Sequence, residues 1–371
     1  MKMGGNVFLA SLGLITIAAC SSGSNSLKAD GGTAVGSCNP PATVEDQGLQ
    51  TCSGCTSSSM CTAQVPLEAC CTWATQPNAS LARSSNLHRY AGSGPVDLSC
   101  LASPATLGTS KMVTLTGYVR IFSSGTDSAG VKVQVFRENT PKTPDGSFDA
   151  ANPVGSYTTS MTDPADPIDT TWNTHGCPNG CSYRQYTIHN VPTETPLVIE
   201  TSDATGSGPW GTIYDYNIYF SNASLTAVDG GAPGATYDAT AVNADDPGVV
   251  AGSVGQTPDG TKGMIAGEVH DCGDVRLSGA TVGSTVPPKG QIYYSTSDEG
   301  NPLLDETAHA TSELSLFAGM NFPTGKPIRV TAFGEDPANA GKFLMLGTYV
   351  VQTYPGAVTA LSFRGRRPWQ L

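Results

Sequence analysis

The sequence predicts an all-β protein, and its composition and patterning support that class. Charged residues make up only 13% of the 371 residues, whereas the chain contains 43 glycines and 26 prolines. This composition disfavours long amphipathic helices and favours short strands joined by turns. Apolar and polar residues alternate over Val113–Ile121 and Val131–Val135, a period typical of half-buried antiparallel strands. We therefore expect two β-sandwich modules after a disulfide-rich, loop-dominated N-terminal region.

Changes in composition divide the chain into seven parts. We assign the segment before the second sandwich to a linker because it is rich in Gly, Ala, Asp and Pro, with room for one strand. The first sandwich carries an insertion from about residue 139 to 183. The expected parts are a signal peptide at 1–19, a flexible tether at 20–37, a cysteine-rich region at 38–105, the first sandwich at 110–220, the linker at 221–262, the second sandwich at 263–365 and a basic tail at 366–371.

The leader ends in a pattern that predicts a lipid anchor. Lys2 precedes an apolar run, Val7–Ile17, and two alanines then precede Cys20. The run is shorter than the roughly 20 residues that span a bilayer. A cysteine directly after a small-residue cleavage site resembles the lipobox of bacterial lipoproteins. The resemblance implies that Cys20 is acylated and anchors an exported protein to the outer membrane or cell surface, with the periplasmic face as an alternative.

The cysteine count favours an oxidising compartment. Of the eleven cysteines, ten remain once Cys20 is set aside for acylation, and an even number suits disulfides. Cys177 and Cys181 are close in sequence. If they bond each other, parity requires Cys272 to bond a cysteine of the N-terminal region. The seven candidates there are Cys38, Cys52, Cys55, Cys61, Cys70, Cys71 and Cys100.

Two stretches of the chain repeat one order of short motifs. The order is a strand interrupted by glycine, a strand led by glycine, an Asn-x-Pro turn and a further apolar strand. We expect the interrupting glycines, Gly117 and Gly267, to mark a bulge or a close backbone approach. The corresponding segments are 116–119 and 266–269, 130–133 and 279–282, 189–192 and 320–323, and 197–199 and 328–330.

This order of motifs resembles the carboxypeptidase-regulatory-like module, a small transthyretin-like (Ig-like) β-sandwich. Together with the leader, it makes the chain similar to lipoproteins of myxobacterial type. The resemblance covers most residues from Met112 onward. It implies two copies of the same sandwich fold.

Motifs that would indicate catalysis are absent from the sequence. None of the five histidines is followed by Glu three residues later, and neither His-Glu-x-x-His nor Gly-x-Ser-x-Gly occurs. His175, Cys177, Cys181 and His189 have a spacing near that of structural zinc sites. For an exported chain we favour a Cys177–Cys181 disulfide instead. No catalytic residue, metal ligand or cofactor is therefore predicted.

An aromatic run supplies a candidate ligand surface. Trp210, Tyr214 and Tyr216 lie close together, and the two tyrosines share one face of a strand. Such rings bind glycans in many proteins, while packing in a sandwich core is the alternative. The acidic stretches around Asp163 and Asp245 are interpreted as solvated turns, with calcium sites as the alternative.

Charge and topology together predict a class of function. The net charge of −12 disfavours nucleic acid as a partner, because that partner requires clustered Lys and Arg. We expect a non-catalytic, lipid-anchored envelope protein that binds an envelope component, a glycan or a protein partner. The alternative is an accessory subunit of a separate envelope hydrolase or peptidase.

Overall fold

The computed structural model describes residues 87–90, 93–102, 106–122, 127–140, 148–149, 151–166, 182–228, 231–284, 286, 288–298, 302–338, 343–365 and 367–368. These residues are nearly all β, which confirms the predicted class. The first ten strands are β1 His88–Arg89, β2 Met112–Ile121, β3 Val131–Arg137, β4 Gly155–Thr158, β5 Gln185–Pro192, β6 Leu197–Asp203, β7 Ile213–Ile218, β8 Thr226–Val228, β9 Ala232–Thr236 and β10 Ala239–Ala241. The other ten are β11 Gly263–His270, β12 Leu277–Ser278, β13 Thr281–Ser284, β14 Ile292–Ser295, β15 Leu304–Asp305, β16 Leu316–Phe322, β17 Pro327–Glu335, β18 Phe343–Gln352, β19 Val358–Leu361 and β20 Phe363–Arg364.

Helices contribute little to the described part of the chain. They are α1 Ser99–Ala102, α2 Asp246–Gly252 and a 3-10 turn at Asn222–Ser224. None of the helices described is long and apolar enough to cross a bilayer.

The first sandwich packs two sheets across an apolar core. In one sheet, β2 lies between β5 and the parallel strands β9 and β10; in the other, the order is β7-β6-β3-β4. Exposed and buried residues alternate along β2 as the sequence predicts. The buried valines, Leu115 and Ile121 of β2 and β3 form one cluster with Ile188 and Ile199. The alternation therefore places one apolar face of each sheet against the other.

The second sandwich repeats this arrangement of strands. β11 lies between antiparallel β16 and the parallel strands β19 and β20, as β2 lies between β5 and β9/β10. The facing sheet has the order β13-β17-β18, in which β13 and β17 correspond to β3 and β6. The repeated motifs therefore occupy corresponding strands.

Glycine interrupts β2 and β11 for the same steric reason. A Cβ at Gly117 would lie 1.8 Å from the carbonyl oxygen of Tyr237, and a Cβ at Gly267 would lie 1.8 Å from that of Leu361. Leu361 is the last residue of β19, and Tyr237 directly follows the last residue of β9. Both carbonyls therefore lie at the break before the next parallel strand, β20 or β10. The predicted close backbone approach is therefore confirmed at both positions.

The Asn-x-Pro segments differ from the expected turns. Asn190 lies within β5 and Asn321 within β16, with φ of 62° and 56°. The pairing register shifts beside each of them, between Val113 and Leu115 and between Gly263 and Ile265. Each asparagine therefore forms a β-bulge, because Asn tolerates the left-handed conformation that a bulge of this kind requires.

The predicted linker at 221–262 is wrong in its first half. Residues 226–241 form β8, β9 and β10, which complete the first sandwich beside β2. The abundance of Gly and Ala suggested a linker, but the small residues Gly234 and Ala235 are buried between neighbouring strands. Residues 246–252 form α2, whose Ala251 is fully buried in a small cluster against the second sandwich.

The two sandwiches share one sheet. Strand β19 pairs in parallel with β11 on one side and with β7 of the first sandwich on the other. The resulting order is β15-β14-β16-β11-β19-β7-β6-β3-β4. Phe136 and Val198 of the first sandwich belong to the same buried cluster as Val330 and Val351 of the second. The modules therefore form one continuous body.

Candidate functional site

The predicted ligand surface lies in the protein interior. Trp210, Tyr214 and Tyr216 are only 9%, 7% and 2% exposed, so the expectation that they form an accessible surface is wrong. All six residues of β7 are buried, because the shared sheet is covered on both faces at this strand. The Trp210 ring nitrogen donates a hydrogen bond to the Ala129 carbonyl at 3.2 Å.

The two tyrosines instead contribute to an aromatic cluster between the sandwiches. The ring centroids of Tyr214 and Tyr354 are 3.9 Å apart, and Phe148 lies about equally far from Tyr214, Tyr216 and Tyr354, at 6.1 to 6.3 Å. The hydroxyls of Tyr216 and Tyr354 are hydrogen-bonded at 2.7 Å. Tyr349 donates a hydrogen bond to the Glu138 carboxylate. These contacts join β7 and the end of β3 to the second sandwich.

A double-mutant cycle tests whether this hydroxyl contact stabilises the junction. We expect Tyr216→Phe and Tyr354→Phe to be less destabilising together than the sum of the single changes, with a coupling of about 1 kcal/mol. Urea unfolding of the four proteins with disulfides intact measures it. Additive single effects would contradict the contact, and Tyr90→Phe, at an exposed ring, provides a neutral control.

The structure describes two of the cysteines, and they are bonded to each other. Cys100 and Cys272 form a disulfide across a sequence separation of 172 residues, the connection between the N-terminal region and the last third that parity predicts. In the chain-entropy model a loop of this length stabilises by about 5 kcal/mol at most. The other nine, Cys20, Cys38, Cys52, Cys55, Cys61, Cys70, Cys71, Cys177 and Cys181, lie outside the described residues.

The segment before the first sandwich is attached to the second. We call residues 87–90 and 93–102 the N-terminal strap. Its β1 pairs with β12, and its Asp97 carbonyl accepts a hydrogen bond from the Cys272 amide at 2.9 Å. Leu87 is buried in the core cluster of the second sandwich. The strap therefore packs on the second sandwich, although it precedes the first sandwich in the sequence.

Charged side chains of both sandwiches meet at one end of β19. Asp215 of β7 lies opposite Ala360 of β19, and Arg364 of β20 lies opposite His270 of β11. The sequence patterns did not predict this group. We define the seam cluster as Asp215, Glu268, His270, Asp274 and Arg364.

His270 lies between two carboxylates. Its Nε2 is 2.6 Å from Glu268 Oε2, and its Nδ1 is 2.8 Å from Asp274 Oδ1. Arg364 donates from Nη1 to both oxygens of Asp274 at 2.7 and 2.6 Å, and Arg276 donates to Glu268 at 3.0 Å. Both neighbours of the ring are acceptors, so the imidazolium, which donates from both nitrogens, fits the arrangement.

The pKa values in the seam cluster shift in opposite directions. Burial alone would lower the pKa of His270, but hydrogen bonds with Asp274 and Glu268 outweigh it and raise that pKa. Burial would raise the pKa of both carboxyls, but their contacts with His270 and the arginines lower it. Burial raises the pKa of Asp215 to about 6, although Tyr237 donates a hydrogen bond to this carboxylate.

This arrangement suits electrostatic attachment better than attack on a substrate. His270 is largely buried, and both its nitrogens are occupied by carboxylates, which leaves neither to activate a nucleophile. Across the part of the chain that is described, no group of three or more His, Cys, Asp or Glu could hold a metal ion. Asp163 accepts hydrogen bonds from the Tyr157 hydroxyl and the Ser160 amide, so its carboxylate has structural partners.

A small cavity lies at the other end of β19. It measures about 50 Å³, and Pro247, Met264, Met320, Ala357 and Val358 contribute to its lining. Pockets for organic ligands measure roughly 300–1,000 Å³. This cavity is therefore too small for a glycan or a cofactor.

Comparisons with known proteins do not identify a family. No family model matches the chain, and no curated protein matches it. Among solved structures, the chain aligns with a mutant of the major pilin from Streptococcus pyogenes at 10% identity and a TM-score of 0.17. The alignment covers 69% of this chain and 98% of the pilin. A score this low is no basis for inference.

Proposed function

We propose that this protein is an exported, lipid-anchored component of a bacterial cell envelope that acts as a non-catalytic binding and display unit. The observation that carries the proposal is the single β body: β19 joins the two sandwiches into one sheet, and side chains of β3, β6 and β7 pack into the core of the second sandwich. A body of this kind presents surfaces at a fixed geometry. The pairing of His270 with two carboxylates supports a structural role for this histidine.

Export is supported by two independent features. The leader ends in Ala-Ala before Cys20, and the Cys100–Cys272 disulfide suits an oxidising compartment. The partners that we propose for this acidic body are envelope glycans and envelope proteins. Their contacts would lie on exposed sheet faces and loops, because the aromatic run of β7 is buried.

Replacing the proposed acylation site tests the anchor. In a bacterium that processes lipoproteins, we expect the wild-type chain to incorporate an alkyne-labelled fatty acid and to begin at Cys20. Cys20→Ala should lose the label and leave the membrane fraction, because the proposed lipid is attached through the Cys20 side chain. Cys38→Ala is the matched control and should label normally. A wild-type chain that keeps Met1 and takes up no label would contradict the proposal.

Binding requires a separate measurement. We expect the full-length protein, in detergent, to co-sediment with purified peptidoglycan sacculi or to capture one envelope protein reproducibly after crosslinking in cells. The Cys20→Ala protein should bind equally well, since the anchor is not part of the binding surface. Absence of both kinds of binding would leave the anchor intact and refute the binding half of the proposal.

A further inference from the structure

Strand β19 is short, but it is the strand that joins the sheets of the two sandwiches. Its four residues pair with both β7 and β11, and β20 continues it beside β11. Beyond β20, Arg367 donates hydrogen bonds to the side chain and backbone oxygens of Asn217 at 3.2 and 3.3 Å. The C-terminal segment is therefore held by the sheet, by the buried side chains of Leu361 and Phe363, and by charged groups of the seam.

We propose that the seam cluster is a proton-operated latch, in which Asp215 of the first sandwich and His270 of the second control how firmly β19 and β20 are held. Asp215 and His270 are both buried. Arg364 donates two hydrogen bonds to Asp274, the carboxylate that also pairs with His270, and the charge of Arg364 lowers the pKa of both Asp215 and His270. Arg364 belongs to β20, so a change of charge on either neighbour acts directly on the segment that joins the sandwiches.

Several neighbouring elements contribute charged or titratable groups to this seam, whereas β16 and β19 contribute none. Tyr237, between β9 and β10, donates a hydrogen bond to Asp215, and Tyr186 of β5 donates to the Tyr237 carbonyl at 2.7 Å. Arg367 acts on Asp274 and on Arg364. The facing groups are Asp215 from β7, Tyr186 from β5, Tyr237, Glu268 and His270 from β11, Asp274 and Arg276 from the following hairpin, Arg364 from β20, and Arg367.

The direction of the effect follows from the shifted groups. Asp215 has its pKa raised from 3.8 to about 6, so its contribution is complete below pH 3.8 and is lost as pH rises through about 6. His270 has its pKa raised from 6.5, so its contribution is likewise lost on the alkaline side. Glu268 and Asp274 have lowered pKa values and lose their contributions in acid. The latch is therefore tightest between roughly pH 4.5 and 6.

Hydrogen exchange measured by mass spectrometry tests the latch in the intact chain. After correction for the intrinsic pH dependence of exchange, peptides covering 358–365 should be at least about tenfold better protected at pH 5.5 than at pH 8, the ratio that corresponds to one pKa unit. Peptides covering β3 serve as the internal reference and should change much less. Equal corrected protection of 358–365 at the two pH values would overturn the proposal.

Two variants separate the latch from general stability. Asp215→Asn should reduce the protection difference between the two pH values to the part that His270 contributes, whereas Glu306→Gln, at an exposed carboxyl, should retain the full difference. Tyr237→Phe removes a hydrogen bond that lowers the pKa of Asp215, so the midpoint of the pH profile should move upward. If Asp215→Asn does not fold, the pH midpoint of Tyr237→Phe is the deciding measurement. A folded Tyr237→Phe protein with the same midpoint as the wild-type protein would reject the latch.

Discussion

Gly267→Ala is expected to destabilise the protein by roughly 3–5 kcal/mol, a large part of the roughly 5–15 kcal/mol that stabilises a typical native protein. The new methyl group would lie 1.8 Å from the Leu361 carbonyl oxygen and 2.6 Å from its carbon. Both are backbone atoms, so no side-chain rotation relieves the overlap. Strand β19 would have to move away from β11, but it is also paired with β7, and a shift would disturb both sandwiches.

The internal repeat supplies a second test of the same cause. Gly117→Ala meets the Tyr237 carbonyl oxygen at the same 1.8 Å, so we expect a comparable loss. Gly248→Ala provides the contrasting control: Gly248 lies in α2, where an added Cβ would meet no atom within 4 Å, and alanine favours helix by up to about 1 kcal/mol. Guanidinium unfolding of the oxidised proteins measures all three. Normal stability of Gly267→Ala would show that β19 does not approach β11 this closely.

The sequence predicts local features of this fold well, because they depend on neighbouring residues. Alternation along β2 follows from one buried face, and the two glycines are required by a steric contact that both repeats share. The sheet that the two sandwiches share depends instead on residues that are distant in sequence. The pairing of β19 with β7 joins residues about 145 positions apart in sequence, and no local pattern specifies it.

The burial of the aromatic run follows from that same long-range pairing. In an isolated sandwich, one face of an edge strand such as β7 would be open to solvent, which made Tyr214 and Tyr216 plausible as a ligand surface. The facing sheet of the second sandwich covers them. The seam cluster had a weak local signal: Glu268 and His270 share one face of a strand that is otherwise rich in small and apolar residues. Their partners Asp215 and Arg364 are distant in sequence, so the sequence does not reveal the cluster.

Asp271→Ala is expected to cost about 3–5 kcal/mol, because it breaks a buried ion pair and leaves its cation behind. The Asp271 side chain is fully buried, and Arg89 Nε donates to its Oδ2 at 2.5 Å. The same carboxylate accepts amide hydrogen bonds from Asp97 at 2.8 Å, Gly273 at 2.9 Å and Val275 at 3.1 Å. Alanine would remove the acceptor for all four donors. The N-terminal strap and the hairpin after β11 would lose their common attachment.

The location of the damage distinguishes this effect from a general loss of packing. In Asp271→Ala, limited proteolysis should cut the strap near residue 93 much faster than in the wild-type protein. The part of the chain after the cut contains both Cys100 and Cys272 and should keep their disulfide. Asp305→Ala is the matched control, since Asp305 also accepts an amide and a hydroxyl hydrogen bond from Thr307, at 2.8 and 2.7 Å, but holds no buried cation. The free energy of unfolding should decrease much less in Asp305→Ala than in Asp271→Ala. Asp271→Ala leaves the largely buried side chain of Arg89 without its carboxylate, whereas Asp305→Ala leaves no buried cation unpaired. Equal unfolding midpoints for the two variants would therefore contradict the role of Asp271.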